Sequence, residues 1–234
     1  NNITMKQLTL FAALTVAVMF SSCGSSNGSR ELKTEADSLA YVIGMNVGYN
    51  LKYNTDSTLD VEVLCAAIRD TYNGNQQMDM EQAGAFYRQY YNIVKPRRTK
   101  AESEAFLSRV ERENSDIKRT DSGLLYLIEA EGDTIRAVKP TDQVRIQYRA
   151  TTKEGREFET TYDNNEAETF ALNQIVKGLS EGVQLVGQGG KIKLWMPATL
   201  GYGSTGNQKI GANEALCFEV EVVEVIPAKE EDEQ

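Results

Sequence analysis

Val144-Arg145-Ile146-Gln147-Tyr148 opens the stretch of sequence that decides the fold of this chain. Four further segments follow it: Gly155-Arg156-Glu157-Phe158-Glu159, Gln174-Ile175-Val176-Lys177-Gly178-Leu179, Leu200-Gly201-Tyr202-Gly203 and Leu216-Cys217-Phe218-Glu219-Val220. The segments place aromatic and branched apolar residues on strands and loops. At these distances along the chain, their side chains could converge on one apolar pocket.

After Gly123 apolar and polar residues alternate, which is the period of a β-strand with one buried face. The alternation is clear in residues 144–149, 191–196 and 216–226, and it predicts an outward direction for Trp195, Cys217 and three glutamates of the last strand, Glu219, Glu221 and Glu224. Only residues 175–185 between these strands have helical character. The economical architecture is therefore a curved antiparallel sheet wrapped around one short helix.

Residues 34–115 instead follow a helical period and predict an all-α domain. The first helix begins near Thr34, with Asp37 and Ser38 as candidate caps, and a second runs from about Asp60 to Asn73-Gly74. A third begins near Asp79 and is interrupted by Pro96, and a fourth runs from about Lys100 to Glu113, with Ala105, Phe106, Leu107 and Val110 as its apolar residues. The apolar stripes require these helices to pack against each other or against another subunit. The basic run 95–100 is interpreted as a solvated helix junction, whose charge Glu102 and Glu104 largely cancel.

Composition narrows the range of functions. The chain has 234 residues, a formal net charge of −9 and no histidine. A negatively charged protein repels a phosphate backbone, so nucleic acid is not an expected partner. Without histidine, Ser-His-Asp and Cys-His nucleophile systems are excluded. No spacing of acidic residues matches a calcium loop, and neither a metal nor an organic cofactor is expected.

The first residues have the pattern of an export signal. Met5-Lys6 gives a short positive region, residues 8–20 are almost continuously apolar, and Ser21-Ser22 precede Cys23. Residues 1–22 are predicted to be a bacterial lipoprotein signal peptide, with cleavage before Cys23 and lipid attachment to its sulfur. The alternative is a simple secretory signal with an incidental cysteine. Residues 23–33 would then form a flexible tether to the membrane, in the cell envelope, with the outer membrane facing the periplasm as the expected site and the cell surface as the alternative.

Two cysteines remain, Cys65 and Cys217, in different predicted domains. Spacing alone does not establish a disulfide between them. Both are treated as small apolar residues.

The order and spacing of the five opening segments resemble the FKBP-type peptidyl-prolyl isomerases over residues 122–226. This resemblance implies an α+β protein, with the FKBP-like sheet domain at residues 116–228 and an acidic tail at 229–234. Residues 41–48 and 122–126 resemble the N-terminal domain of the macrophage-infectivity-potentiator type. That type implies a homodimer through the first helices, which Gly44 and Gly48 would allow to approach closely. The alternative is that both glycines tolerate a crowded crossing within one chain.

The resemblance also implies the site residues. Tyr148 would offer its hydroxyl to the substrate, Phe158 and Phe218 would form aromatic walls around a proline ring, Phe170 would form another wall, and Tyr202 would donate a hydrogen bond to a substrate carbonyl. Val176 would offer its backbone N–H, with Ile175 on the rim, and Ile210 would close the pocket from a long loop. The sequence departs from the family pattern at Glu159, where Asp is usual; at Leu179, where Trp usually forms the floor; and at Ile210-Gly211-Ala212, where Ile-Pro-Pro is usual and a more flexible lip is expected.

Rotation about an Xaa-Pro bond fits these residues. The barrier is roughly 18–20 kcal/mol because amide resonance must be broken, but no covalent bond is made or cleaved. An apolar aromatic pocket favours the twisted, less polar amide, so no general base is needed. The expected substrates are unfolded or proline-containing polypeptides among exported proteins. The alternative is a chaperone or binding module that keeps the fold with little isomerase activity.

Overall fold

The computed structural model describes residues 31–54, 59–164 and 166–228. The chain divides into two compact units, residues 1–76 and 77–234. The helical stretch expected as one domain, 34–115, is thus divided between them, because its last two helices belong with the sheet. That residues 34–115 and 116–228 form two separate domains stays a prediction. The predicted lipidation site, Cys23, lies outside the described residues.

The first unit contains helices α1 (Glu35–Asn54) and α2 (Val61–Tyr72). Helix α1 begins with a reciprocal cap that corrects the expected one: the Thr34 hydroxyl accepts from the Asp37 N–H at 3.1 Å, and the Asp37 carboxylate accepts from the Thr34 N–H at 2.9 Å. Helix α2 begins and ends where predicted, with Asp60 as its N-cap and Asn73 as its C-cap. No described helix is long and apolar enough to cross a membrane.

The second unit begins with one continuous helical rod. Helix α3 (Met80–Gln89) passes through a π-helical turn (Tyr90–Val94) into α4 (Lys95–Glu113). The expected break at Pro96 was wrong, since Pro96 lies in the first turn of α4, just after the π turn. Within that turn the Lys95 N–H donates to the Tyr90 carbonyl, five residues back. A proline is tolerated at a first turn because its missing N–H is least needed there.

The rest of the unit is an antiparallel sheet. Its strands are β1 (Lys118–Arg119), β2 (Leu125–Ala130), β3 (Gln143–Thr152), β4 (Glu157–Thr160), β5 (Glu168–Ala171), β6 (Lys191–Met196) and β7 (Leu216–Ile226). The strand order is β1-β2-β6-β7-β3-β4, with β5 also paired to β3. Strands β3 and β7 pair along their whole length, with a register shift between Arg145 and Ile146. The shift leaves Val223 without a paired residue on β3. Beyond it the inward and outward positions are offset by one residue, so that Glu224 faces outward like Glu219 and Glu221, as predicted.

The core lies on the concave face of the sheet, against helix α5 (Lys177–Val183). The inward residues of β3, β6 and β7 are buried there, among them Val144, Ile146, Ile192, Leu194 and Val222. Two glycines allow α5 to approach β6. A Cβ at Gly178 would lie 2.7 Å from the Met196 sulfur, and one at Gly182 would lie 2.4 Å from a Leu194 methyl. The fold class predicted from the sequence, a helical part followed by a curved antiparallel sheet around one short helix, is confirmed.

The outer face of the sheet is only partly solvated. Cross-strand ion pairs such as Lys191–Glu221 at 2.9 Å and Lys193–Glu129 at 3.0 Å cover one part of it. Helix α4 covers another part, where Leu107 joins Leu125 and Ala215 in a second buried cluster that Trp195 packs against. Trp195 and Cys217 face outward as expected, but both are half-buried. Ala105, expected on the apolar stripe of this helix, is exposed, while Thr99 and Ser103 are buried.

Acidic residues one turn further along α4 neutralise part of the basic run 95–100. In the basic run, Arg98 pairs with Glu102 at 3.5 Å and Lys100 with Glu104 at 4.0 Å, as the predicted charge cancellation requires.

Cys65 and Cys217 are free thiols. Burial raises the pKa of Cys217 to about 12, so this thiol stays protonated and behaves as an apolar group.

Gly182→Ala should destabilise the sheet domain by about 1–3 kcal/mol, because the added methyl overlaps the fully buried Leu194. Gly84→Ala in α3 is the matched control, since its methyl would meet only the flexible Arg88 guanidinium at 3.4 Å, and a better helix former should leave stability unchanged or raise it. Denaturant unfolding of both variants measures the difference. Equal unfolding midpoints would show that the α5–β6 approach does not need glycine.

Candidate functional site

Two aromatic residues of the site are fixed by the β3–β7 pairing. Tyr148 pairs with Val220, and Phe218 pairs with Ala150, so both rings project from neighbouring positions on the concave face. Their centroids are 6.2 Å apart with an interplanar angle of 30°. Both residues are buried, at 4% and 3% exposure. Strand pairing alone therefore builds the deeper part of an aromatic site.

Three further aromatic residues surround this pair. Phe170 on β5 lies edge-on to Tyr148 at 6.2 Å, and Phe158 on β4 lies edge-on to Phe218 at 6.2 Å. Tyr202 follows the short 3₁₀ turn Ala198–Leu200 and lies 6.5 Å from Phe158. These three rings are half-buried. The result is a concave aromatic surface that is buried at its base and open at its rim, with ring pairs at favourable edge-to-face distances.

Aliphatic residues complete the same cluster. Leu179 on α5 and Ile210 on the long loop are buried at 4% and 2% exposure, and Ile175 and Val176 pack against the cluster while remaining half-buried. Val176 is the N-cap of α5, and no side chain caps it. Its N–H lies outside the hydrogen-bond ladder of the helix, as the predicted role requires. All the apolar residues predicted for the site lie together.

The hydroxyl groups of the site stay protonated. Burial, followed by the charge of Glu159 and a hydrogen bond to its carboxylate, raises the pKa of Tyr148 well above its usual value. Burial and the same carboxylate also raise the pKa of Tyr202. Glu159 itself is exposed at the rim of the cluster. Both tyrosines are therefore hydrogen-bond donors throughout the physiological pH range.

Residues 201–215, here called the active-site loop, are held by internal hydrogen bonds. The Asn207 N–H donates to the Ile210 carbonyl at 2.8 Å, and the Asn207 carboxamide oxygen accepts from the N–H groups of Lys209 and Ile210, each at 2.8 Å. Gly206 adopts a φ of +70° at this bend, and any Cβ there would overlap the Ile210 carbonyl. The lip expected to be flexible is thus a bonded turn.

Two residues of the site were missed by sequence reasoning. Asn207 shapes the loop and hydrogen-bonds Tyr202, and its place after Gly206 was the available signal, because Gly-Asn favours an Asx turn. Thr161 accepts from the Tyr148 N–H at 2.9 Å through its hydroxyl and so fixes the backbone of that residue. Nothing in the local pattern around Thr161 indicated this bond, which joins positions 13 residues apart.

This arrangement suits binding and distortion of an apolar group rather than covalent chemistry. It offers aromatic walls, two protonated hydroxyl donors and an uncapped helix start. Among residues 31–54, 59–164 and 166–228, no group of three or more acidic or cysteine side chains could hold a metal ion.

Comparison with known proteins identifies the family. Residues 135–223 match the model of the FKBP-type peptidyl-prolyl cis-trans isomerases, and residues 36–128 match that of the domain amino-terminal to FKBP-type peptidyl-prolyl isomerases. The isomerase FkpA of Aeromonas hydrophila is 30% identical over 210 residues, covering 83% of this chain and 78% of that protein. The chain belongs to the FKBP-type peptidyl-prolyl cis-trans isomerases.

Other relatives extend the comparison across this FKBP-type chain. FkpA of Escherichia coli K12 is 26% identical over an alignment covering 98% of this chain and 92% of that protein. The crystal structure of FkpA from Escherichia coli superposes with a TM-score of 0.59 at 27% identity, covering 85% of this chain and all of that one. The family and the enzyme class expected from the resemblance are confirmed. Assignment to the macrophage-infectivity-potentiator type stays a prediction.

Proposed function

We propose that this FKBP-type isomerase interconverts cis and trans Xaa-Pro bonds in polypeptides of the cell envelope, and that the aromatic cluster around Tyr148 and Phe218 is its active site. The observation that supports this most strongly is the convergence of Tyr148, Phe158, Phe170, Tyr202 and Phe218, with neighbouring rings 6.2–6.5 Å apart. Phe158, Phe170 and Tyr202 are only half-buried, so part of this aromatic surface remains accessible to a substrate.

The mechanism follows from the polarity of the site. A proline ring enters between Phe158, Phe170 and Phe218 and leaves water, which gains about 25 cal/mol for each Å² of apolar surface removed. The planar amide is well solvated in water, whereas the twisted amide has lost its resonance and is less polar. The hollow therefore binds the twisted form more tightly than the planar form, and this difference lowers the barrier.

Hydrogen bonds orient the peptide on either side of the proline. The Tyr202 hydroxyl and the Val176 N–H are the donors free to bind substrate carbonyls. The Tyr148 hydroxyl donates its one proton to the Glu159 carboxylate, so it donates to a substrate carbonyl only when it turns from Glu159 to the substrate. Leu179 replaces the usual aromatic floor with a buried aliphatic one, so contact with the ring remains but its aromatic part is lost. We expect a reduced rate rather than an inactive protein.

A second function, holding unfolded chains, is favoured by the helical unit. Helix α1 exposes a large apolar surface: Leu39 at 63%, Ile43 at 56%, Met45 at 59% and Tyr49 at 66%. Helix α2 adds Val61, Val63 and Ile68, each more than half exposed. Apolar surface of this extent in one chain marks a binding face.

Phe158→Ala should abolish most of the acceleration of Xaa-Pro peptide isomerisation and leave the protein folded, because Phe158 is a half-buried wall residue outside the buried base. The relaxation rate of short Xaa-Pro peptides measures this at equal concentrations of both proteins. Tyr126→Ala, another half-buried aromatic, on β2, is the control for general effects of losing a ring. If the wild type accelerates no peptide and yet suppresses aggregation of an unfolded protein, the holding function replaces the enzymatic one.

A homodimer is the other use of the apolar face of the helical unit, since a face covered by a second copy of the chain is not free to hold unfolded chains. Within the described chain nothing comes within 4 Å of a Cβ built at Gly44 or Gly48, apart from the helix itself and the adjacent residues. The alternative of a crowded intrachain crossing thus has no contact to support it. No side chain of α2 is buried, and an isolated helix with this exposed face needs a partner. A second copy of the same unit meets this need with one self-complementary surface.

The dimer predicts twice the chain mass in light scattering of the purified protein. Ile43→Glu, which places a charge on the exposed apolar face of α1, should shift the mass to that of one chain without loss of peptide isomerase activity. A wild-type mass of one chain at micromolar concentration would contradict the dimer.

Lipid attachment at Cys23 stays a proposal supported by the sequence alone: the positive start, the apolar run and the small residues before the cysteine. It places the enzyme on a membrane of the cell envelope, with the outer membrane facing the periplasm as the expected location. The intact mass of protein recovered from membranes should equal the chain from Cys23 plus its lipid. Cleavage at another position, or an unmodified Cys23, would reject it.

A further inference from the structure

Helix α4 contacts the C-terminal end of the active-site loop, at Asn213 and Ala215. The buried Ser103 hydroxyl accepts from the N–H of Ala215 at 3.0 Å, and the carboxamide of Asn213 donates to the carbonyl of Pro96 at 3.1 Å. Ser103 and Ala215 are 4% and 0% exposed. Leaving the buried Ala215 N–H without a hydrogen bond would cost free energy, because water cannot take the place of the Ser103 hydroxyl. The loop is thus fastened to the helix at two points.

Asn213 links α4 to the backbone beside Tyr202 through two hydrogen bonds. It is the one described non-glycine residue with a positive φ, +62°, a conformation that asparagine tolerates better than most residues. Its side chain reaches α4, while its N–H donates to the Gly203 carbonyl at 2.9 Å. Gly203 follows Tyr202 directly. Two successive hydrogen bonds therefore connect α4 to the backbone next to a substrate-facing tyrosine.

A cluster of ion pairs joins α4 to the turn before strand β4, the strand that carries the wall residue Phe158. Lys153, in the turn between β3 and β4, has a side chain only 9% exposed. It pairs with Glu214 of the loop at 2.9 Å and with Glu102 of α4 at 3.7 Å, and it also contacts Glu154. Burial opposes the charge of this lysine, but its bonds to Glu154 and Glu214 outweigh that effect and raise its pKa. Strand β4, with Phe158 and Glu159, begins shortly after this turn.

We propose that helix α4 is a latch for the active site: Ser103 and Asn213 act as positioning residues that hold the active-site loop, and with it Tyr202 and Ile210, in the shape that accepts substrate. Neither residue belongs to the aromatic cluster, so both act through the loop. This inference rests on the proposed isomerase function.

The test compares two variants that release the latch with one that does not. Ser103→Ala removes the acceptor for the Ala215 N–H, and Asn213→Gly removes the amide but permits the positive φ. Ser108→Ala, on an exposed position of the same helix, is the matched control. Both release variants should lower kcat/KM for Xaa-Pro peptides by about 3- to 10-fold, the range expected for loss of one positioning hydrogen bond. Ser103→Thr, which keeps the hydroxyl, should restore most of the activity lost in Ser103→Ala.

Two readouts separate the latch from general loss of structure. Trp195 is the single tryptophan of the chain and packs against the cluster formed by α4, so unchanged Trp195 fluorescence shows that the helix remains docked. Amide hydrogen exchange at Gly203 and Ile210 should rise at least about 3-fold in both release variants, and at Asn213 in Ser103→Ala, matching the smallest expected loss of one hydrogen bond.

The outcomes distinguish the latch proposal from the proposed isomerase function. Wild-type kcat/KM and wild-type exchange in both release variants would overturn the latch while leaving the proposed function intact. Lower activity accompanied by altered Trp195 fluorescence would also overturn it, because the helix itself would then have moved. If the wild type accelerates no peptide, the proposed function fails and so does the positioning role, whatever the exchange rates show.

Discussion

The pairing of β3 with β7 is the interaction on which the rest of the structure depends. It extends over the full length of β3 and sets Tyr148 and Phe218 side by side on the concave face. Because the side-chain period of a strand is two residues, a slip of either strand by one position would turn its ring to the outer face and destroy the site. The register shift at Arg145 and Ile146 absorbs Val223 near the far end of β7 and leaves the register around the two rings intact.

Other elements complete what this pairing begins. Strands β4 and β5 flank β3 and bring Phe158 and Phe170 to the rim. Gly178 and Gly182 let α5 lie close to β6, which places Leu179 beneath the aromatic residues. The site therefore has a base set by strand register and helix packing and a rim set by turns. Catalysis by desolvation and shape needs this division, since the base must be rigid and dry while the rim must admit a polypeptide.

Much of this could be predicted from sequence because the relevant signals are local. Alternation located strands β3, β6 and β7, and the family resemblance named apolar residues that the structure brings together in one cluster. Three features could not be found this way. The outer face is covered by α4, and alternation cannot tell solvent from a helix that packs on the sheet, so Trp195 and Cys217 face outward yet lie half-buried. The π turn carries the helix past Pro96, which a helical period alone does not foresee. Thr161 and Ser103 act through bonds to positions distant in sequence, and such bonds leave no local pattern.

The central claim is that the aromatic cluster catalyses rotation rather than merely holding apolar chains. The most direct test is refolding of a protein whose slow phase is limited by proline isomerisation, with this enzyme present at a small fraction of the molar amount of the substrate. Catalysis predicts a slow phase that becomes faster in proportion to enzyme concentration, because each molecule turns over many chains. A slow phase of unchanged rate, with only a higher yield of folded protein, would contradict the account and show a holding function instead.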